Sequence, residues 1–183
     1  MRFVALLAVV LALSFVACGR KGPEANQTYF WKVDPASSTV EWGDCSDDPQ
    51  FRSQATPIEV GPNSYIIYKV SADGRHATTM DCTRLDPSTC VVLDGGVTFD
   101  VVGTQLTHTD TFTDDAGSGC NMVQDVSWTL TDQLQSCSVE IANTLSLVDN
   151  PTVCDTIDND LKAHSPNMMG VRGCVVTFRF TGK

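Results

Sequence analysis

Basic residues and glutamate are scarce in this sequence. Lysine and arginine together number 12 against 22 aspartates and glutamates, so the formal net charge is −10. An acidic surface repels nucleic-acid phosphates, and we therefore expect neither DNA nor RNA as a partner. Long solvent-exposed helices usually carry many Glu–Lys pairs. The scarcity of glutamate and lysine therefore argues against such helices. The glutamates are Glu24, Glu41, Glu59 and Glu140.

Sequence signatures of metal sites are also missing. No two cysteines have the C-x-x-C spacing of zinc ribbons or thioredoxin-like redox sites, and His76, His108 and His164 lie far apart along the chain. Residues 155–160 hold the densest group of oxygen-bearing side chains, but they lack the alternating ligands, central glycine and terminal glutamate of a calcium-binding EF-hand loop. We expect no metal and no cofactor.

Motifs of catalysis are absent as well. The sequence has neither a P-loop nor a dinucleotide-binding fingerprint, and the stretch 116–119 around Ser118 does not follow the G-x-S-x-G pattern of a nucleophile elbow. No catalytic residue is assigned. Paired carboxylates of a glycoside hydrolase would be brought together by the fold rather than by sequence. A hydrolase with an unrecognised site therefore stays open as an alternative.

Only one long apolar run occurs, from Phe3 to Ala17, and Ser14 is its single polar residue. A membrane-spanning helix needs roughly 20 apolar residues, so this run is too short to span. Arg2 precedes it and polar residues follow it, which is typical of a secretory signal peptide.

The apolar run ends in Phe15-Val16-Ala17-Cys18, and this segment resembles the lipobox of bacterial prolipoproteins. The resemblance covers residues 1–19 and implies a location in the cell rather than an activity. It implies cleavage before Cys18, acylation of that cysteine and anchoring through membrane lipid. Because Gly19 and not aspartate follows Cys18, it also implies the outer rather than the inner membrane of a cell that has two. Without residues 1–17 the net charge is −11, since Arg2 is their only charge, so we expect membrane contact through the lipid alone.

An ordinary signal peptidase offers a second processing route. Ala17-Cys18-Gly19 has small residues at the spacing of its cleavage site. Cleavage after Gly19 would release a soluble secreted or periplasmic protein.

The chain divides into three parts in this interpretation. A signal peptide covers 1–17, the lipidated cysteine and a flexible tether cover 18–27, and a single β domain covers 28–183. The last part is the size of one domain that buries its own core.

Alternating apolar and polar residues recur in short segments, as expected for half-buried strands. Examples are 65–70, 96–102, 126–130 and 174–180, and turn-forming pairs with Pro, Gly, Asp or Asn separate them. We predict an all-β fold, an antiparallel meander closed as a small barrel or folded as a two-sheet sandwich, and favour the barrel. One short helix is predicted near 152–163, where apolar residues recur every four positions.

Eight cysteines favour structural disulfides in an oxidising compartment. With Cys18 lipidated, seven remain, and partners close in sequence are the easiest to join. We predict a disulfide-stapled domain with Cys45 unpaired and three bonds: Cys82–Cys90, Cys120–Cys137 and Cys154–Cys174.

A threonine-rich segment from Leu106 to Thr113 carries the candidate ligand-binding residues His108 and Asp110. In one interpretation Leu106 and Phe112 cover the core, while His108 and Asp110 lie near an open edge. In the other, His108 and Asp110 point into the barrel as a polar anchor for a ligand, since buried ionisable groups need a partner. We expect a filled interior and an aromatic core seam from Tyr29, Phe30, Trp31 and Trp42.

These patterns together predict a lipid-anchored protein of the cell envelope. We expect a monomer that acts as a non-enzymatic binding or structural module for a small molecule or an envelope protein. An extracytoplasmic hydrolase is the alternative.

Overall fold

A computed structural model describes residues 22–49, 51–52, 63–133, 135–167 and 169–183. The predicted signal peptide, Cys18 and the predicted lipobox lie outside these residues. The strands are β1 (Thr28–Glu41), β2 (Tyr65–Val70), β3 (His76–Cys82), β4 (Cys90–Val92), β5 (Thr98–Val102), β6 (Gln105–Gly117), β7 (Cys120–Asp132), β8 (Cys137–Asp149) and β9 (Val175–Gly182). The α-helix α1 (Pro151–His164) precedes β9, and a 3-10 turn (Pro87–Thr89) precedes β4.

Eight of the strands form a closed antiparallel barrel. Its order is β1-β2-β3-β5-β6-β7-β8-β9, and β1 closes the ring by pairing with both β2 and β9. The short strand β4 is added on β3. The prediction of an all-β barrel is therefore confirmed, and the sandwich is excluded.

The barrel interior is filled by the alternating apolar residues of its strands. Tyr68, Phe99 and Leu106 are almost fully buried, and side chains from all eight barrel strands belong to one core cluster. Trp31, from the predicted aromatic seam, is 8% exposed, and Tyr29 stacks on Tyr68 with ring centroids 5.1 Å apart. Burial of each large apolar side chain stabilises the fold by about 1.5–3 kcal/mol.

The predicted helix is confirmed and spans Pro151–His164. Asn150 caps it by accepting a hydrogen bond from the backbone N–H of Val153, and Pro151 occupies the first turn, where its missing N–H costs nothing. Among the described residues, no helix is long and apolar enough to cross a membrane.

The two ends of the barrel differ in their connections. At one end, here called the N-terminal end, lie Gly22–Gln27, the turn from Ser71 to Arg75, the β5–β6 turn at Gly103 and the last residue, Lys183. The other end, here called the loop end, carries the long connections β1–β2, β3–β5 and β8–β9 together with the tip of the β6–β7 hairpin. Function in barrels is commonly found in such loops.

Gly22–Gln27, assigned to a tether by the sequence, lie against the N-terminal end. The backbone N–H of Glu24 donates to the Tyr29 hydroxyl at 2.7 Å, and that of Asn26 donates to the carbonyl of Ser71 at 3.3 Å. Gly22 lies so close to the Gly103 carbonyl that a Cβ would overlap its oxygen. Only glycine fits there.

All three disulfides lie at the loop end. Cys82–Cys90 is confirmed, whereas Cys120 is bonded to Cys154 and Cys45 to Cys174. The predicted bonds Cys120–Cys137 and Cys154–Cys174 are therefore wrong, and so is the prediction of an unpaired Cys45.

Strand length explains the error in pairing. Because β7 and β8 each have 13 residues, each spans about 44 Å. Cys120 lies at the loop end opposite Asp149, and Cys137 lies at the N-terminal end opposite Asp132. Cysteines that are 17 positions apart in sequence are thus separated by the full height of the barrel.

A buried polar cluster occupies the N-terminal end. The hydroxyl of Tyr68 donates to the Asp132 carboxylate at 3.0 Å, and the unpaired thiol of Cys137 is fully buried nearby. Burial raises the pKa of Tyr68, and the Asp132 charge adds to this. Burial, again with the Asp132 charge, raises the pKa of Cys137 to about 12. Both groups are therefore neutral at physiological pH.

The first prediction concerns the thiols of the barrel. We expect Cys137 to resist iodoacetamide in the native protein and to react after unfolding without reductant, because the thiol is buried and protonated. Peptide mapping should recover Cys45–Cys174, Cys82–Cys90 and Cys120–Cys154. Recovery of a Cys120–Cys137 peptide would contradict the fold.

The second prediction concerns alkaline pH. The folded state raises the pKa of Cys137 from its ordinary 9.0, so its contribution is present below about pH 9 and is lost as the pH rises toward 12. Tyr68 acts in the same direction from its ordinary 10.0. Each group lowers the unfolding free energy by up to about 1.4 kcal/mol per pH unit.

Urea unfolding followed by circular dichroism between about pH 8 and 11 measures this slope. Cys137→Ala should make it shallower by removing one of the two groups. An identical slope in the variant would show that Cys137 does not ionise with unfolding.

Candidate functional site

The two sequence-predicted ligand residues lie on the inner side of β6: His108 is the fourth residue from the N-terminal end of the strand, and Asp110 is near its middle. His108 is half-buried and packs edge-on against Phe99, with ring centroids 6.0 Å apart. Asp110 is exposed, and its Oδ1 accepts the backbone N–H of Thr111 at 2.8 Å. Among the described contacts, none joins the side chains of His108 and Asp110.

Phe112 does not cover the core as one interpretation expected, since it is 50% exposed. The reason is that β5 pairs with β6 only as far as Thr107, whereas β7 accompanies β6 up to Gly117. Beyond Thr107, the inward-facing side chains of β6 therefore lack β5 as a neighbour and are more exposed than the core. We call the surface formed by Asp110, Phe112 and Asp114 the rim.

A row of polar side chains crosses this rim from β6 to β8. The Gln124 amide donates to Asp114 Oδ2 at 3.0 Å, and the Asn143 amide donates to Gln124 Oε1 at 3.0 Å. Asn143 Oδ1 is buried and has no hydrogen-bond partner among the described residues. We call Asp114, Gln124 and Asn143 the polar row.

Strand alternation could have identified the polar row. Val126 and Ile141 are apolar, buried residues on the inner faces of their strands, and Gln124 and Asn143 are each two residues further on, toward the loop end. Because side chains alternate with period two, both must face inward as well. They were missed because the strands were expected to be shorter than the 13 residues observed.

The chemistry of the rim is that of an acceptor surface beside an aromatic ring. Asp114 has a second carboxylate oxygen, Asp110 adds another carboxylate, and Asn143 Oδ1 lacks a donor. Phe112 contributes an exposed apolar face. Such a surface suits a group that carries N–H or O–H donors.

A concave region lies between α1 and the segment that precedes β9. A cavity of about 400 Å³ is lined by Asp44, Asp155, Asp158, Asn159, Lys162, Gly170 and Arg172. Its charges are largely paired: Lys162 lies 2.7 Å from Asp158, and Arg172 lies 2.6 Å from Asp155.

Asp158 holds this region together. Burial raises the pKa of its carboxyl, but hydrogen bonds from Lys162 and from the backbone N–H groups of Val171 and Arg172 outweigh burial and lower it. The acidic residues of α1 thus include a structural one. Within the described part of the chain, no group of three or more His, Cys, Asp or Glu side chains is placed to hold a metal ion.

Aromatic residues also border the loop end on the β1 side. Trp42 follows β1 and packs edge-on against Phe51 with ring centroids 6.4 Å apart, while the Arg52 guanidinium lies 4.9 Å from the Trp42 ring centre. Trp42 therefore belongs to the loop end, separate from the Tyr29–Trp31 aromatic seam.

Comparison with known proteins returns no match: no family model, no curated protein and no solved structure is similar to this chain.

Proposed function

We propose that this chain is a lipid-anchored, non-enzymatic protein of the cell envelope that binds a ligand or partner at its loop end. The observation that carries the proposal is the difference between the two ends of the barrel. The N-terminus leaves from the end with tight turns, and the disulfides and polar row lie toward the other.

The anchor would hold the barrel close to the membrane. Gly22 packs on the β5–β6 turn, and Cys18 precedes it by four positions, which span at most about 14 Å. A lipid on Cys18 would therefore place the N-terminal end next to the bilayer, with the loop end facing away. In a cell with two membranes, the residue after Cys18 favours the outer one.

Binding at the loop end is supported by the rigidity and the chemistry of that region. Cys120–Cys154 fixes α1 to β7, and Cys45–Cys174 fixes the start of the β1–β2 connection beside β9. Disulfides that close loops of 34 and 129 residues stabilise by about 4–5 kcal/mol each in the chain-entropy model. A fixed surface with spare acceptors loses little entropy when a donor-bearing group binds.

The third prediction tests the anchor. Protein extracted from the envelope with mild detergent should begin at Cys18 and carry the mass of the attached acyl chains. Cys18→Ala should abolish the modification, because only a cysteine is acylated in this way. Intact-mass and N-terminal peptide spectrometry measure both. An unmodified chain that begins at Arg20 would overturn the anchor and leave a soluble protein.

The fourth prediction tests binding at the rim. We expect native protein to release a small molecule with amine or hydroxyl groups on denaturation. Asp114→Asn should lower its occupancy about five- to ten-fold, the effect of one lost charge-assisted hydrogen bond.

Asp115→Asn is the matched control, since Asp115 is the next residue and lies on the opposite face of β6. Mass spectrometry of the released material measures occupancy. Equal loss in both variants, or turnover of generic ester or glycoside substrates by the purified protein, would contradict rim binding by a non-enzymatic module.

A further inference from the structure

Strand β6 has an edge that no other described strand covers. It pairs with β7 from Gln105 to Gly117, but with β5 only as far as Thr107. The remaining ten residues, 108–117, span about 34 Å. Among the described residues, no backbone–backbone hydrogen bond reaches this part of β6 from the side where β5 ends. We call this side of residues 108–117 the open edge.

The register of the β5–β6 hairpin shows which backbone groups face the open edge. Val102 and Gln105 flank a two-residue turn, and such a pair exchanges both of its hydrogen bonds. Because the direction alternates along a strand, every second residue after Gln105 directs its N–H and C=O to the same side. Beyond β5 these residues are Thr109, Thr111, Thr113 and Asp115. The N–H of Thr111 fits this assignment, since Asp110 Oδ1 accepts its hydrogen bond at 2.8 Å.

The side chains along the open edge suit a further strand. The threonines of 109–113 lie on the outer face of β6, and the residues of the rim alternate with them on the inner face. Threonine favours strands. Lysine and proline, which commonly block exposed edges, do not occur in β6. The open edge can therefore accept a strand from another chain.

The carboxylates along the open edge are not compensated by cations. They belong to Asp110, Asp114 and Asp115 on β6 and to Asp125, which lies opposite Thr111 on β7. Neutral N–H, hydroxyl and amide groups donate hydrogen bonds to them, and none of the four takes part in an ion pair among the described residues. Neither β6 nor β7 contains lysine or arginine. Charge complementarity therefore calls for a basic partner.

The neighbouring segment between β3 and β5 does not change this sign. It contains one cation, Arg84, and two acids, Asp86 and Asp94. The acidic surface also disfavours a second copy of this chain as the partner. When two open edges are aligned antiparallel over their full length, Asp110 of one copy lies opposite Asp114 of the other. Like charges placed opposite each other destabilise a sheet.

An extended segment with basic side chains fits the open edge. Its backbone would hydrogen-bond to Thr111 and Thr113, and its alternate side chains would lie beside the residues of the rim. Lysine or arginine would meet the carboxylates of Asp110 and Asp114, and an apolar residue between them would meet Phe112, which is 50% exposed. A carbonyl of the segment would replace Asp110 Oδ1 at the Thr111 N–H. This exchange would release the Asp110 carboxylate to bind the cation.

We infer that the open edge of β6 binds an extended segment of a partner protein, with lysine or arginine two residues before and two residues after an apolar residue. The inference rests on the proposed function and names the partner that binds at the loop end. The added strand pairs with β6, and its basic side chains lie on the rim. The aspartates that repel a second copy select this partner.

The fifth prediction uses a labelled peptide, Thr-Arg-Thr-Leu-Thr-Arg-Thr, and the purified chain, with fluorescence anisotropy as the measure of affinity. Replacing both arginines by glutamate should weaken binding at least about ten-fold, because two attractive charge pairs become repulsive. N-methylation of the two threonines beside leucine should also weaken it at least about ten-fold, because their N–H groups face β6. N-methylation of leucine, whose N–H faces away, is the matched control and should change affinity less than about two-fold.

Variants of β6 locate the contact. Thr113→Pro removes an N–H from the open edge without removing a hydrogen bond to β7, so it should abolish binding. Thr113→Ala keeps the N–H and should bind like the unmodified chain. Asp114→Asn should weaken binding about three-fold, the effect of one exposed charge pair, and Asp115→Asn, on the opposite face, should weaken it less. Circular dichroism verifies folding, and if Thr113→Pro does not fold, Asp114→Asn and the methylated peptides decide.

Several outcomes would overturn the inference. They are the absence of binding, equal affinity for the arginine and glutamate peptides, and equal losses on methylating leucine or threonine. A dimer in sedimentation that Thr113→Pro dissociates would assign the open edge to a second copy instead. The proposed function is tested separately, because the anchor and any small molecule retained at the rim are measured without peptide. Retention that depends on Asp114 in a chain that does not bind the peptide would contradict only the present inference.

Discussion

Closure of the barrel by β1 is the constraint on which the rest of the structure depends. Residues 28–32 of this strand pair with β2, and residues 33–41 pair with β9, so one strand satisfies both edges of the sheet. The pairing with β9 is interrupted by an irregularity between Asp34 and Thr39. Ser37 stabilises this irregularity by donating to the Asp34 carbonyl at 2.6 Å and accepting the Thr181 N–H at 2.8 Å. A Cβ on Gly182 would lie 2.8 Å from that of Trp31, so the closure also requires glycine there.

The two ends of the closed barrel differ in how their turns and connections are held in place. At the N-terminal end the turns are short, and the buried Tyr68–Asp132 hydrogen bond lies just inside. At the loop end, β6–β8 continue beyond their neighbours, and long connections must be held without a sheet to pair with. Disulfides hold these connections in place where no backbone pairing does. This accounts for the placement of all three bonds at the loop end and for the unpaired Cys137 at the other.

Sequence reasoning predicted the parts of the fold that depend on local periodicity. The alternation in 65–70 and 126–130 indicated which side chains face inward, and the four-residue spacing indicated α1. It failed where strand length mattered, because alternation does not show where a strand ends. The same error led to the wrong partner for Cys120, placed Phe112 in the core and omitted Gln124 and Asn143 from the candidate site. His108 and Asp110 were singled out because they alternate with threonines between Leu106 and Phe112. The lipobox interpretation depends on residues 15–18, outside the described structure.

The polar row consists of hydrogen-bonding side chains, whereas the rest of the barrel interior is mainly apolar. A buried carbonyl oxygen without a donor, such as Asn143 Oδ1, costs about 1–3 kcal/mol. Leucine or valine at this position would continue the apolar alternation of β8 without that cost. The two disulfides that fix the surrounding segments stabilise the fold by more than this, so the loop end can retain an unfavourable group. Acceptors kept at a fixed rim would gain a partner when a group with N–H or O–H donors binds there. For this reason we propose that binding takes place at the rim rather than in the packed interior beneath it.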